Sequence, residues 1–258
     1  MAGRREKMRV VVLNRSVLVR ALATVTAFLL GASVAGQLTK FLTGHDTVFG
    51  LVRLFDMDNE SNVPTSFAIA LLTISAFLLL LVGVLERQSR APYSWHWLVL
   101  SAVFGYLAID EATQIHEFMT GCTIDFLGYE PTGIFYFAWV IPAAVLTGIF
   151  ALLFLRFFLH LPRRTRFAVG AAAALYVGGA LGFDMIGGYY GERHGFDNLS
   201  YKLIANVEET LEIAGLLVFI WTLLAYLESS YGEVRLRFEH SSQQPGEPTL
   251  PHRSDRAA

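Results

Sequence analysis

Apolar residues along this chain come in long blocks, not in short alternating runs. Blocks near 20 residues are the pattern of helices that cross a bilayer. Six blocks predict six spans, at about 17–38, 66–86, 94–116, 133–159, 167–186 and 203–227. Aromatic residues mark several of their ends, as interfacial side chains do. Trp95 and Trp97 open the third span, Phe135, Tyr136 and Phe137 open the fourth, and Tyr226 closes the sixth. Pro142 falls inside the fourth and predicts a kink there, which neighbouring helices can accommodate. The fifth, VGAAAALYVGGALG, is rich in small residues and should pack closely inside the bundle. The expected fold is all-α, a polytopic transmembrane helix bundle over residues 17–228.

The flanks are polar. Residues 1–16 form a basic N-terminus, and 229–258 a proline-containing tail expected to be disordered. The first span has a second reading, because arginines, an apolar run and SVAG resemble a signal peptide cleaved after Ala35. The run continues through Leu38, which favours an uncleaved helix.

Charge sorts the loops. Every Lys and Arg except Lys40, Arg53, Arg193 and Lys202 falls on one side of the expected topology. By the positive-inside rule that side, with both termini, is cytoplasmic, and the cell (inner) membrane is the expected location. Most carboxylates fall on the other side, an excess that topology does not require. Composition agrees with a membrane protein: 54% of residues are hydrophobic and 16% charged. The bilayer is thus the first partner, and nothing suggests nucleic acid. The single cysteine, Cys122, excludes an internal disulfide and a thiolate-rich metal site.

Candidate chemistry lies where carboxylates approach the acidic side of the spans. Residues 107–118 read LAIDEATQIHEF, and ionisable groups at such a depth pair, bind a cation or line a path. Counting from the inner boundary puts Asp110 and Glu212 each about 22 Å up their helices, at 1.5 Å per residue. At about 100° per residue, Asp110, Gln114 and Glu117 share a face, flanked by His116 and Glu111. In ANVEETLEIAG, Glu208 and Glu212 share a face with Gly215, and like charges four apart repel unless a proton or cation lies between them. Glu208 and Glu209 also suit a helix N-terminus. In LFDMDNESNVPTSF the acids lack the glycine and terminal glutamate of a calcium loop. Turn formation by Asp56 and Asp58 before a helix with Pro64 in its first turn is expected instead, leaving Glu60 and Asn62 free to face the cluster. Asp184 is expected to pair with Arg193 or Lys202.

Together, LFDMDNESNVPTSF, LAIDEATQIHE and NVEETLEIAG resemble motifs of a group of polytopic bacterial membrane proteins that remain uncharacterised. The resemblance runs from the second span to the sixth. It implies the order of spans and no activity. Histidine-box desaturases need more histidines than His45, His116 and His194, and the Glu-x-x-His spacing of bundle di-iron proteins is absent.

The residues therefore point to a divalent metal site, Fe, Mn or Zn, built from Glu60, Asp110, Glu111, His116, Glu117, Glu208 and Glu212. Such a site could serve an enzyme acting on a lipid-phase substrate. A proton- or cation-coupled transporter, as a homo-oligomer given only six spans, is an alternative. A non-catalytic membrane subunit is another.

Overall fold

The computed structural model of the protein describes residues 14–232, and the expected basic N-terminus and tail lie almost wholly outside them. The described chain is helical throughout: α1 (Arg15–Thr43), a short α2 (Leu51–Phe55), α3 (Val63–Gln88), α4 (Ser94–Thr113), α5 (Ile115–Leu127), α6 (Val140–His160), α7 (Arg163–Val177), α8 (Asp184–His194) and α9 (Leu199–Tyr231). Five stretches are long and apolar enough to cross a membrane on their own. They are α1, α3, α6, the joined α7–α8 and α9. The pair α4 and α5 passes the same test only together, across a bend of 86°.

Parity decides the number of crossings. Arg15 at the start of α1 pairs with Glu228 near the end of α9 at 3.0 Å, so both ends of the described chain lie on one face. Lys40 and Asp197 pair at 2.6 Å at the opposite ends of the same two helices. The number of crossings is therefore even, and α4 must be the sixth. Its 20 residues extend about 30 Å, enough to span the hydrocarbon alone. The protein is a helical membrane protein with six candidate crossings once α4 is counted.

Packing reflects the periodicity of two central helices. On α3, Ala68, Leu71, Leu72, Ser75, Leu79 and Val82 recur at helical spacing and are buried. The leucines and Val82 form one core with Ile213, Leu216, Ile220 and Leu223 of α9. Helix α1 joins this core through Ser33, whose hydroxyl donates to Asn206 Oδ1 at 2.7 Å. The helix runs unbroken past Ala35, the end of the signal-like stretch. Helix α6 turns most of its side chains outward, as a helix facing lipid does. It meets α4 mainly through rings, with Phe157 stacked on His96 at 5.3 Å.

Three expectations about the spans need correction. The third does not run to residue 116, because Gln114 adopts φ 59° and ψ 39° and ends α4. The fourth begins at Val140, after a 3-10 turn over Gly133–Phe135 and a short link. Pro142 therefore sits in the first turn of α6, where its missing N–H costs nothing, and no mid-span kink forms. The fifth is longer than expected and contains a π-helical turn over Gly178–Phe183. An inserted residue of this kind rotates the helix beyond it, here the start of α8.

Candidate carboxylate and histidine site

The site is assembled at one end of the bundle by the loop before α3, the bend between α4 and α5, the π turn and the first half of α9. The loop is fixed by its own polar side chains. Asp56 Oδ1 accepts from the Asp58 N–H at 3.2 Å, and Asp56 Oδ2 from Asn59 Nδ2 at 2.6 Å. Asn62 caps α3 by accepting from the Thr65 N–H at 3.2 Å and donates to the Asp56 carbonyl at 2.6 Å. Pro64 lies in the first turn, as the sequence suggested. Lys202 of α9 closes the arrangement, with Nζ 3.1 Å from Asp56 Oδ2 and 2.5 Å from Asp58 Oδ2. Burial still holds the Asp58 carboxyl above the usual carboxylate range, against the pull of Lys202.

This pinned loop places Glu60 opposite His116. The imidazole Nε2 is 3.9 Å from Glu60 Oε1. Its Nδ1 is 3.1 Å from Asp110 Oδ2, while Asp110 Oδ1 accepts from the His116 backbone N–H at 2.9 Å. Asp110 thus spans the α4–α5 bend, satisfying a free amide at the start of α5 and orienting the ring of the same residue. The left-handed Gln114 makes the reversal possible, with its N–H donating to the Asp110 carbonyl at 2.7 Å. The shared face expected for Asp110, Gln114 and Glu117 does not exist, because the helix breaks between the first and the last. Glu117 is exposed on α5 and acts on Glu60 from the side. Glu60 itself is pushed up to about 7, first by burial and then by Glu117, with His116 opposing.

A second group lies on α9. Here the small residues of the fifth span have a specific use. A Cβ on Gly179 would fall 2.8 Å from the Glu208 carbonyl oxygen and 2.9 Å from Glu212 Cγ. A Cβ on Gly215 would fall 2.8 Å from the Tyr176 nitrogen. Glycines on both partners therefore let the π turn and α7 close onto α9 where its carboxylates sit. Glu208 and Glu212 are half-buried at this crossing, with Glu209 beside them. Glu111 of α4 lies within electrostatic reach of Glu209 and Glu212, and Tyr176 stands against Glu212.

Two residues belong here that the sequence did not assign. Asp184, first residue after the π turn, is 9% exposed, and its Oδ2 has no hydrogen-bond partner. Neither expected partner reaches it, because Lys202 is held by Asp56 and Asp58, and Arg193 lies over Tyr189 at 3.6 Å from the ring centre. The charges of His116 and Glu208 act on it instead. Trp139 is the other; its ring centre is 5.1 Å from that of His116. A carboxylate directly after a glycine-rich stretch was the available signal for Asp184, and nothing local marks Trp139.

The arrangement brings Glu60, Asp110 and His116 into contact, sets Glu111 and Glu117 at its edge, and places Glu209 and Glu212 across from Glu111, with Glu208 toward Asp184. Among the described residues, no three His, Cys, Asp or Glu side chains stand close enough to hold a metal ion without adjustment. The site carries many carboxylates and one imidazole, since Lys202 is already engaged.

Fold and site define a polytopic helical membrane protein with a recessed acidic cluster around a single histidine. The chain belongs to the family described as a domain of unknown function (DUF8692), whose model matches residues 15–227. Neither a curated protein nor a solved structure matches it.

Proposed function

We propose that the protein binds a divalent transition metal ion between His116 and Glu60, in the cell membrane, with the acidic end of the bundle facing outward. One observation carries this reading: Asp110 holds Nδ1, leaving Nε2 directed at a carboxylate oxygen 3.9 Å away. A carboxylate on the far nitrogen is the usual support of a metal-binding histidine. Metal–nitrogen and metal–oxygen bonds of roughly 2.0 to 2.2 Å each would together span that separation. One imidazole with carboxylates suits Fe, Mn or Zn better than Mg or Ca. Glu117 and Glu111 are the further donors, reached by side-chain rotation.

A metal ion there would supply Lewis acidity for hydrolysis of a lipid-phase substrate. The chain's own residues would orient the ligand imidazole through Asp110 and hold protons among Glu208, Glu209 and Glu212. Metal analysis of purified protein tests the reading. Near-stoichiometric Fe, Mn or Zn is expected in the native protein, with loss in His116→Ala and Glu60→Gln. A protein without bound transition metal that binds none on titration overturns it.

A second reading rests on the same imidazole. With carboxylates at both nitrogens, His116 is also placed as a link in a proton path, and the protein would then be a cation-coupled transporter. Proton flux in proteoliposomes that survives metal chelation and fails in His116→Ala would favour it.

A further inference from the structure

Helix α5 is not needed to complete a crossing, because the 20 residues of α4 are long enough alone. The chain leaves the site at His116 and returns to it at Trp139, whose ring lies 5.1 Å from the imidazole. Everything between stays at one end of the bundle. The 86° bend turns α5 nearly perpendicular to α4, which already spans the hydrocarbon. Thr123 is the one buried side chain of α5. The link after α5 is anchored elsewhere: the Gly133 N–H donates to Glu192 Oε2 at 2.7 Å.

The exposed surface of α5 is split. At about 100° per residue, Phe118, Cys122 and Phe126 lie within roughly 80° of one another. Glu117, Gly121 and Asp125 continue the exposed arc on the other side. Phe118 is 73% exposed and Phe126 89%. Two phenylalanines so bare are unfavourable in water. On α4, before the bend, Tyr106 and Ile109 are also exposed. A helix in the bilayer plane with an apolar edge and a charged edge is the form that settles at the lipid interface.

We propose that α5 lies in the headgroup layer of the acidic-side leaflet, with Phe118, Cys122 and Phe126 in the acyl boundary and Glu117, Gly121 and Asp125 toward water. The partner is the lipid surface itself. His116 and Glu117 form the first turn of this helix, so the mouth of the site opens among headgroups. The inference stands on the geometry of α5 and holds whether or not the site binds metal.

The lone cysteine provides the test without a substitution. Cys122 is exposed and takes a nitroxide label in the full-length protein, reconstituted in phosphatidylcholine vesicles. Collision with dissolved oxygen is expected to exceed collision with a water-soluble nickel chelate at this position. A comparison label goes at Gly121→Cys in a Cys122→Ser background, where an added Cβ meets nothing within 4 Å. There the ratio is expected to reverse. Chelate-dominated relaxation at both positions would place α5 in water and overturn the proposal. Oxygen-dominated relaxation at both would place it inside the hydrocarbon, and would overturn it equally.

Discussion

Asp110 is the residue on which the site turns. One carboxylate accepts from the backbone N–H and meets the Nδ1 of the same histidine, so it fixes both the turn into α5 and the ring. Asp110→Asn keeps the size but replaces one acceptor oxygen with an amide. Metal retention is expected to fall by roughly 10- to 100-fold, as with other lost supports of ligand histidines. A dialysis series against a competing chelator would read this, and unchanged retention would remove Asp110 from the role.

Glu60 gives a pH dependence. Its carboxyl is raised to about 7, so without a cation it takes up a proton as pH falls through that value. A cation must displace that proton. Apparent metal affinity should therefore rise from about pH 6 to about pH 8, and binding should release protons. Calorimetry in buffers of different ionisation enthalpy would detect the release. In Glu60→Gln the dependence in this window should weaken, leaving the part that belongs to the His116 imidazole, which, against burial, Asp110 holds above its usual range. Lys202 makes the opposite kind of contribution, since it is mostly buried between Asp56 and Asp58. Lys202→Met strands two carboxylates and is expected to cost about 3 to 5 kcal/mol of stability. Thermal unfolding in detergent would show it.

Among elements, the α4–α5 break and the π turn matter most. Gln114 holds a left-handed conformation that glycine adopts without strain. Gln114→Gly should leave stability equal or slightly higher, whereas Gln114→Val, β-branched at positive φ, should lower it. The pair of melting temperatures checks whether the bend is a fixed feature of the fold. The crossing of the π turn with α9 is less tolerant. Gly179→Ala must push against the Glu208 carbonyl, and is expected to cost about 1 to 3 kcal/mol through overpacking. Its measured effect should exceed that of Gly182→Ala, where no atom lies within 4 Å of the added carbon.

For the whole molecule, the even number of crossings sets which groups share a face. The pairs Arg15–Glu228 and Lys40–Asp197 mark opposite ends of α1 and α9. Sidedness comes from arginine and lysine in the loops, which is a matter of insertion and not of packing. A membrane-impermeant maleimide should label Gly121→Cys, in the Cys122→Ser background, from outside intact cells. Labelling only after permeabilisation would invert the proposed orientation.

The six-helix membrane bundle was legible from residue order alone, because hydrocarbon thickness imposes block lengths that survive any detail of packing. So were Asp110, His116, Glu208 and Glu212 as residues of interest, because ionisable groups among apolar ones are conspicuous without coordinates. Which of them meet was a matter for the folded chain. The break at Gln114 depends on one left-handed residue, and helical periodicity assumes no such break. Across it Asp110 reaches His116, and Glu60 arrives from a loop distant in sequence. Likewise the π turn rotates Asp184 into the cluster, and Lys202 chooses Asp56 and Asp58 over it. Partner choice among buried charges is settled by distances of about an ångström or two between helices, and no local pattern of residues encodes those distances.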